Sequence, residues 1–251
     1  PAGPAIADAR RAHDLDARLP PAGTANRGWR MPIWEFLETY GPALTQGTLV
    51  TCTQFVLASL VAVVTAMIAG LGTLSRNRII RGSSIVYIEI FRGTSLLVQL
   101  YWIFFVLPLF GLTLEKFTAG FVSVGLNCGA YGAELVRGAI QSVPRGQWEA
   151  ATAINMTPFI RMRRIIMPQA FAIMLPPWGN LLIELLKGTA LVSLISVTDL
   201  MFQAKQINAS TYLSAQVFGT ALIIYYVLAR LLITPLISRM ERIVARRLGK
   251  A

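Results

Sequence analysis

The stretch WEAATAINMTPFIRMRRIIMPQAF, residues 148–171, is amphipathic and alanine-rich within a chain that is otherwise strongly apolar. A two-turn helix is expected over residues 147–154, where alanine and glutamate favour helix. Asn155 suits the left-handed position that ends a helix, since asparagine is the commonest substitute for glycine there. Thr157 and Pro158 then fit the N-cap and the first position of a second helix. The stretch therefore predicts two short helices joined by a tight turn.

The side chains of this predicted hairpin suit a docking surface. Small alanines at 150, 151 and 153 let another backbone approach the first helix closely. Glu149 is placed in the first turn, where a carboxylate complements the helix dipole. Pro144 stops the preceding helix. The arginines of the second helix are expected to face water or lipid headgroups: Arg161, Arg163 and Arg164. From the residues alone, an interfacial loop that merely connects two spans is an equal alternative.

The composition identifies a membrane protein. Of the 251 residues, 55% are hydrophobic and 14% charged, against about 25% charged in soluble domains. The long windows without charge predict an all-α, multi-pass bundle of about five spans. These spans are expected near 43–74, 84–110, 117–142, 166–190 and 212–238. Residues 41–251 form the predicted transmembrane domain. Residues 1–40 are a tail, in which Ile33 to Tyr40 is expected to form a short helix at the membrane interface.

The net charge of +11 reports topology rather than a nucleic-acid partner, because the basic residues lie in short segments between spans. Three basic segments fall on one side of the membrane: 75–83, 143–165 and 239–251. The positive-inside rule makes that side cytoplasmic and places the N-terminus outside. The tail holds arginines that oppose this orientation: Arg10, Arg11, Arg18, Arg27 and Arg30.

The residues needed for an enzyme or a metal centre are missing from the sequence. Cys52 and Cys128 fall in different predicted spans without a CxxC spacing, and the only histidine, His13, lies in the tail. Gly249-Lys250 is followed by Ala251 and lacks the glycine that opens a phosphate-binding loop. Catalysis, a metal site and a nucleotide site in this chain are therefore not predicted.

Charges inside predicted spans are candidate functional residues, because a charge in hydrocarbon is costly. Arg92, Glu134 and Arg230 each lie eight residues from a cytoplasmic span end, about 12 Å deep. A shared depth makes a charge network possible, and Glu89 and Arg137 lie one turn closer to the cytoplasm. We interpret this network as part of an inner gate. The alternative is that the charges only fix how the spans pack.

The fourth span requires a break, since a straight helix over 165–198 would measure about 50 Å. Candidate breaking positions are Pro176, Pro177, Gly179 and the pair Gly188-Thr189. Broken helices in membranes line cavities or pack within protein. Polar side chains of this segment therefore form the predicted substrate path: Asn180, Glu184, Lys187, Thr189 and Ser193. A simple i, i+3 ion pair between Glu184 and Lys187 is the alternative.

Several long motifs, in order along the chain, resemble the polar amino acid permeases of ATP-binding cassette (ABC) importers, the histidine- and glutamine-type family. Residues 148–171 resemble the "EAA" loop of these permeases. The stretches YIEIFRGTSLLVQLYWIFFVLP (87–108), GAYGAELVRGAIQSVPRGQWEAA (129–151) and PPWGNLLIELLKGTALVSLISVTDL (176–199) extend the likeness to about residues 40–248. The chain departs from the family pattern at four positions: Ser95 for proline, Asn155 for glycine, Met167 for leucine and Gly188 for a frequent aspartate.

The resemblance implies a five-span permease of the type I importer (MetI-like) fold in the bacterial inner membrane. It implies a coupling loop over 143–167, in which these residues meet a cytoplasmic ATPase: Glu149, Ala150, Ala151, Asn155 and Pro168. The implied partners are a second permease, identical or a sister chain, two ATPase subunits that bind ATP and Mg²⁺, and an extracytoplasmic binding protein.

The implied solute is a polar amino acid or a similar zwitterion. A compatible solute such as ectoine is the alternative within the same kind of importer. An ion-coupled secondary transporter is a further alternative; it requires a coupling-ion site within the chain, and inverted repeats would support it.

Overall fold

A computed structural model describes residues 31–247, and these residues form helices without a β-strand. The predicted all-α bundle is confirmed. The helices are α1 (Ile33–Thr73), α2 (Arg78–Gly93), α3 (Leu96–Tyr101), α4 (Lys116–Gln141), α5 (Arg145–Ala153), α6 (Pro158–Arg161), α7 (Met167–Thr189), α8 (Leu200–Thr211), α9 (Ser214–Val227) and α10 (Thr234–Arg247). The first thirty residues of the predicted tail, including His13, lie outside the described residues.

Three helical segments of the described chain are long and apolar enough to cross a membrane: Ile33–Thr73, Pro158–Ile195 and Ser214–Val244. The pair Arg78–Gly93 and Leu96–Phe110 passes the same test together and makes a bent fourth span. The remaining predicted span, α4, has 26 residues and is long enough. Its glycines, Asn127 and Glu134 make it less apolar than the others, and it lies at the centre of the bundle, where protein surrounds it.

Helix α1 is longer than predicted. It runs unbroken for 41 residues through Pro42, so the separate interfacial helix expected over Ile33–Tyr40 is wrong. The first turns of α1 are held by packing, because Phe36 and Leu44 are buried against Leu200 of α8 in one apolar cluster. Their spacing of eight residues keeps both on one helix face, and this face continues into the span.

The second span was predicted as one helix over 84–110 but is bent by 109° between α2 and α3. Helix α2 ends at Gly93, and Thr94 is extended, with φ −121° and ψ 157°. After α3 the chain widens into a π-turn over Trp102–Val106 and then tightens into a 3₁₀ turn over Leu107–Phe110. Neither arm alone is long enough to cross the bilayer core.

Side chains satisfy the backbone carbonyls that the bend leaves free. Thr94 Oγ1 donates to the carbonyl of Ile90 at 2.7 Å. Gln99 Nε2 and Asn127 Nδ2 both donate to the carbonyl of Phe91, at 2.9 and 3.0 Å. Asn127 Nδ2 also donates to Gln99 Oε1 at 3.0 Å. Unpaired backbone groups are expensive in lipid, so Gln99 and Asn127 hold the break open and tie it to α4.

Helix α4 packs along α1 through small residues. Gly125 faces Val61 and the carbonyl of Ala58 so closely that an added Cβ would lie 2.7 Å from Val61 Cβ. A Cβ on Gly132 would lie 2.8 Å from Ala66 Cβ. Small residues let helix backbones approach closely in membranes. The α1–α4 contact is therefore the structural axis of the bundle, and α7 packs against both helices.

Of the predicted breaks in the fourth span, the one at Gly188-Thr189 is confirmed and those at Pro176, Pro177 and Gly179 are wrong. Helix α7 continues through Pro176, Pro177 and Gly179, and a Cβ on Gly179 would lie 3.0 Å from Ile237 of α10. Breaking a helix in the bilayer would free several backbone groups, which costs more than the two bonds the prolines remove. The helix ends at Thr189, where a break was also predicted, and a 3₁₀ turn over Ala190–Ile195 follows.

The last span begins at Ser214 rather than 212, because Tyr212 has a left-handed φ of 56° and ends α8. It continues through a π-turn over Leu228–Ile233 into α10 and reaches Arg247, beyond the predicted end at 238.

Candidate functional site

The two short helices predicted around Asn155 are present at one end of the bundle. Helix α5 spans Arg145–Ala153, and Thr157 caps the next helix, its hydroxyl accepting from Ile160 N at 3.4 Å. An apolar cluster joins Trp148 of the hairpin to Leu74, Ile140 and Ile166. The hairpin therefore lies beside the ends of α1, α4 and α7, and the basic segments 75–83 and 143–165 share this end.

Asn155 adopts the left-handed conformation that its sequence position predicts, with φ 54°. Two hydrogen bonds close the turn. Asn155 N donates to the carbonyl of Thr152 at 2.9 Å, and Met156 N donates to the carbonyl of Ala151 at 3.0 Å. This pair of bonds is the Schellman motif, which satisfies the last carbonyls of a helix.

The residues predicted to couple to an ATPase lie on this hairpin and just after it. Glu149, Ala150 and Asn155 are exposed, whereas Ala151 is fully buried. An open depression of about 370 Å³ lies between Trp148, Glu149, Thr152 and Ala153. Pro168 is exposed near the start of α7. Glu149 was predicted to lie in the first turn of this helix, and that prediction is wrong. Helix α5 begins at Arg145, so Glu149 is its fifth residue.

The arginines of the second arm divide into two kinds. Arg163 and Arg164 are exposed, as predicted. Arg161 is instead half-buried, and its guanidinium carbon lies 5.4 Å from the centre of the Trp148 ring. Arg161 is therefore a packing residue of the hairpin.

Two of the three charges predicted to share a layer do meet. Glu134 Oε2 lies 4.0 Å from Arg92 Nη1 and 2.6 Å from Arg137 Nη2. Arg92 also lies over the ring of Tyr131, 5.4 Å from its centre. Arg230 is exposed and forms no ion pair with any residue in 31–247, so its predicted place in the network is wrong.

A cleft of about 300 Å³ opens beside this charge cluster. Its polar lining is Glu89, Glu134, Arg137 and Gln141, and the ends of α1 and α2 complete it with Thr73, Leu74, Ile85 and Ile88. Glu89 thus lies next to the network, as its position one turn away predicted. Leu74 belongs both to this cleft and to the apolar cluster under the hairpin, so the charges and the hairpin are neighbours.

The residues predicted to line a substrate path separate onto two faces. Asn180, Glu184 and Lys187 are exposed along α7, and Lys187 Nζ bonds Glu184 Oε1 at 2.8 Å. Thr189 is fully buried and Ser193 almost so. Three polar residues at i, i+4 and i+7 therefore form one face of a membrane-spanning helix, and the last two residues point into the bundle.

A buried polar group at the other end of the bundle escaped prediction. Asp199 is fully buried; it caps α8 by accepting from Phe202 N at 2.8 Å, and its second oxygen has no hydrogen-bond partner among the described residues. Lys205 Nζ donates to Ser193 Oγ at 2.9 Å. Leu200 N donates to Thr51 Oγ1 at 3.1 Å, which ties this loop to α1. Nothing in the sequence distinguishes Asp199 from an exposed loop acid.

Burial raises the pKa of Asp199 to about 7, although hydrogen bonds from α8 and the charge of Lys205 oppose the shift. The residue lies between the last two spans, and the unfolded chain releases its proton near pH 4. We therefore expect the folded protein to lose stability as pH rises from about 4 to 7, by up to about 1.4 kcal/mol per pH unit.

We expect Asp199→Asn to remove that loss while keeping the helix cap, because asparagine caps as well as aspartate does. Melting temperatures of the purified protein between pH 5 and 8 measure the effect: wild type falls relative to the variant as pH rises. If the melting temperatures of wild type and variant change with pH in the same way, Asp199 is not a buried carboxyl with a raised pKa.

An all-helical bundle with a polar face on one spanning helix and a short helical hairpin at one end is typical of a membrane-embedded transport subunit. The chain belongs to the family of binding-protein-dependent transport system inner membrane components, whose profile matches residues 62–250.

The chain is similar to bacterial permease proteins of amino-acid transport systems. The chain is 44% identical over 221 residues to a "Probable amino-acid ABC transporter permease protein" of Sinorhizobium fredii, which covers 85% of this chain and 89% of that one. It is 36% identical over 219 residues to the L-cystine transport system permease protein TcyB of Bacillus subtilis, covering 86% and 92%. It is 32% identical over 211 residues to the glutamine transport system permease protein GlnP of Escherichia coli, covering 83% and 96%.

Solved structures match across the bundle. A crystal structure of an amino acid ABC transporter with histidines has a TM-score of 0.77 at 36% identity, covering 84% of this chain and 98% of that one. An inward-facing MetNI methionine ABC transporter has a TM-score of 0.70 at 20% identity, covering 80% and 96%, and this likeness concerns the fold. The predicted MetI-like permease architecture is thereby confirmed.

Proposed function

We propose that this permease forms the translocation path for a polar amino acid or a similar zwitterion, and that α7 lines the path. The observation that carries the proposal is the Glu184–Lys187 pair, whose side chains are 66% and 64% exposed on a membrane-spanning helix. Charges exposed to lipid are costly, so this face meets water or another subunit. A carboxylate beside an ammonium complements the two charges of a zwitterion, and the amino-acid, cystine and glutamine permeases among the relatives support this solute class.

The proposal includes partners that the sequence predicts. A second permease, identical or a sister chain, covers the exposed polar face of α7 and completes the path. Two cytoplasmic ATPase subunits bind ATP and Mg²⁺ and contact the hairpin around Glu149, and an extracytoplasmic binding protein delivers the solute. This chain then supplies no nucleotide site of its own. The clustering of basic segments at the hairpin end supports a cytoplasmic hairpin and C-terminus in the inner membrane, with the N-terminus outside.

The charges around Glu134 are proposed as part of the inner gate. Glu134 pairs with Arg92 of α2 and with Arg137 of its own helix, and the cleft beside it opens toward the hairpin end. A movement of the hairpin would thus reach this ion cluster through shared neighbours such as Leu74.

The path proposal is tested with the permease, its ATPase and its binding protein reconstituted in liposomes. We expect Lys187→Met to reduce ATP-dependent uptake of the transported amino acid by about tenfold or more. The reason is that the variant lacks the ammonium group that would meet the carboxylate of the solute. Its melting temperature should change little, since an exposed i, i+3 pair contributes about 0.5 kcal/mol or less. Uptake of radiolabelled amino acids and thermal unfolding are measured on the same preparations.

Lys116→Met is the matched control, because Lys116 is also exposed but lies at the start of α4, on a different helix. Its uptake should equal wild type. If Lys187→Met transports as wild type does, α7 does not line the path. Uptake that an ion gradient drives without ATP would overturn the ABC importer proposal as a whole.

A further inference from the structure

We propose that Arg161 is a positioning residue that clasps the two arms of the hairpin together, so that a movement of α5 is passed on to α7. The inference rests on the proposed function, in which a cytoplasmic ATPase contacts the hairpin. Arg161 was expected to face water or lipid headgroups; in this proposal it transmits movement from α5 to α7.

Arg161 contacts the opposite arm at two points. Its Nη1 donates to Thr152 Oγ1 at 2.8 Å, and its guanidinium carbon lies 5.4 Å from the centre of the Trp148 ring. Trp148 and Thr152 are four residues apart on α5 and so lie on one helix face. Thr152 Oγ1 in turn donates to the carbonyl of Trp148 at 2.9 Å. The guanidinium therefore holds a whole turn of α5.

The contacts require an arginine rather than any cation. A planar guanidinium stacks on an aromatic face while donating to a neighbour in its own plane, and an ammonium does this less well. Arg161 Nε is buried without a hydrogen-bond partner among the described residues. The side chain is thus inserted between the arms at some cost, which distinguishes it from the exposed Arg163 and Arg164.

Helix α5 needs such a clasp because it has only nine residues, and isolated helices of this length are not stable in water. Tight segments connect it at both ends, and within residues 31–247 one other polar side-chain contact besides the clasp ties it to the second arm. That contact joins Gln169 Nε2 to Gln147 Oε1 at 3.1 Å. Arg161 holds the far end of the hairpin, where the turn at Asn155 would otherwise act as a hinge.

The second arm is a continuous helical rod. Arg161 ends α6, a π-turn over Met162–Ile166 follows, and α7 continues to Thr189. From Arg161 to Lys187 the rod is about 39 Å long at 1.5 Å per residue. A push on α5 that the clasp passes to Arg161 therefore reaches the charged face of α7 along one continuous helical segment.

The first test uses the purified permease alone and measures amide hydrogen exchange in the hairpin. We expect Arg161→Met to speed exchange of the amides at 150–157 about tenfold or more by local opening, with the rest of the bundle unchanged. Arg163→Met is the matched control and should exchange as wild type does. Arg161→Lys keeps the charge and should recover only part of the protection. Equal exchange in wild type and Arg161→Met would overturn the clasp.

The second test uses the reconstituted transporter and measures solute transported per ATP hydrolysed. We expect Arg161→Met to lower this ratio about tenfold while the ATPase still binds and hydrolyses ATP, and Arg163→Met to leave it unchanged. Thr152→Val should lower it less, and adding this change to Arg161→Met should have no further effect. An unchanged ratio in Arg161→Met would refute the mechanical task. If wild type itself binds no ATPase, the proposed function fails, and the exchange experiment still decides whether the clasp exists.

Discussion

Replacing Gly125 with valine is expected to destabilise the bundle by more than about 3 kcal/mol, because α1 and α4 cannot then approach each other. An added Cβ would lie 2.7 Å from Val61 Cβ and 2.9 Å from the carbonyl oxygen of Ala58. The side chain of Val61 can move slightly, but the backbone of α1 at Ala58 cannot. Thermal unfolding of the detergent-solubilised protein and its elution profile on size exclusion measure the loss.

Gly138→Val provides the control, since it places the same side chain on the same helix at a position with no atom within 4 Å. Its melting temperature should stay close to wild type. Adding Val61→Ala to Gly125→Val should recover a small part of the stability, because it removes Val61 Cγ1 but neither Val61 Cβ nor the carbonyl of Ala58. Equal melting temperatures for the two valine variants would show that the α1–α4 contact does not depend on a bare backbone at Gly125.

Most spans could be predicted because membrane helices obey a simple constraint. A helix satisfies its own backbone groups, so a long apolar window of sequence is enough to indicate a span. Helix α4 begins within one residue of the predicted start, although its glycines and Asn127 make it less apolar. The length of α1 was not predictable in this way, because its first turns depend on burial of Phe36 against a distant helix.

The breaks were harder to predict than the spans, because a break in lipid needs partners elsewhere in the chain. Pro176 and Pro177 look like breaking residues, but the helix continues through both of them. At Gly93 the local signal is weak, yet Gln99 and Asn127 satisfy the free carbonyl of Phe91. Asn127 is 34 residues from Gly93 in sequence, so the contact belongs to tertiary structure.

For the charged and polar residues, counting along the sequence predicts part of their position in the bundle. Counting along a helix gives depth in the membrane, and Arg92 and Glu134 do meet. It does not give the side of the bundle on which a residue lies, so Arg230, at the same predicted depth, is elsewhere. Thr189 still belongs to α7, and nine residues after Asn180 the helical period places it on the opposite, inward face. Ser193 lies beyond the end of α7, in a 3₁₀ helix of three residues per turn, which changes the face that each side chain occupies.

The second large effect is expected at Asn155, whose turn was predicted because its cause is local. Asn155→Gly should preserve transport per ATP, since glycine adopts a φ of 54° without strain. Asn155→Val should reduce it about tenfold or more, because a β-branched residue is a steric outlier at positive φ, at a cost of roughly 1–3 kcal/mol. The strain can be relieved only by opening the bonds at Thr152 and Ala151 that close the turn.

Opening that turn would change the angle between α5 and the rod that begins at Pro158, so Glu149 would present the wrong surface to the ATPase. Uptake and ATP hydrolysis in proteoliposomes therefore separate coupling from folding: Asn155→Val should still hydrolyse ATP when the ATPase is bound, yet transport little. Ile154→Val is the control, since Ile154 is exposed, precedes the turn and has a negative φ of −90°. A transporter that tolerates valine at 155 as well as at 154 would show that the left-handed turn does not contribute to coupling, and that a flexible connection between the two arms is sufficient.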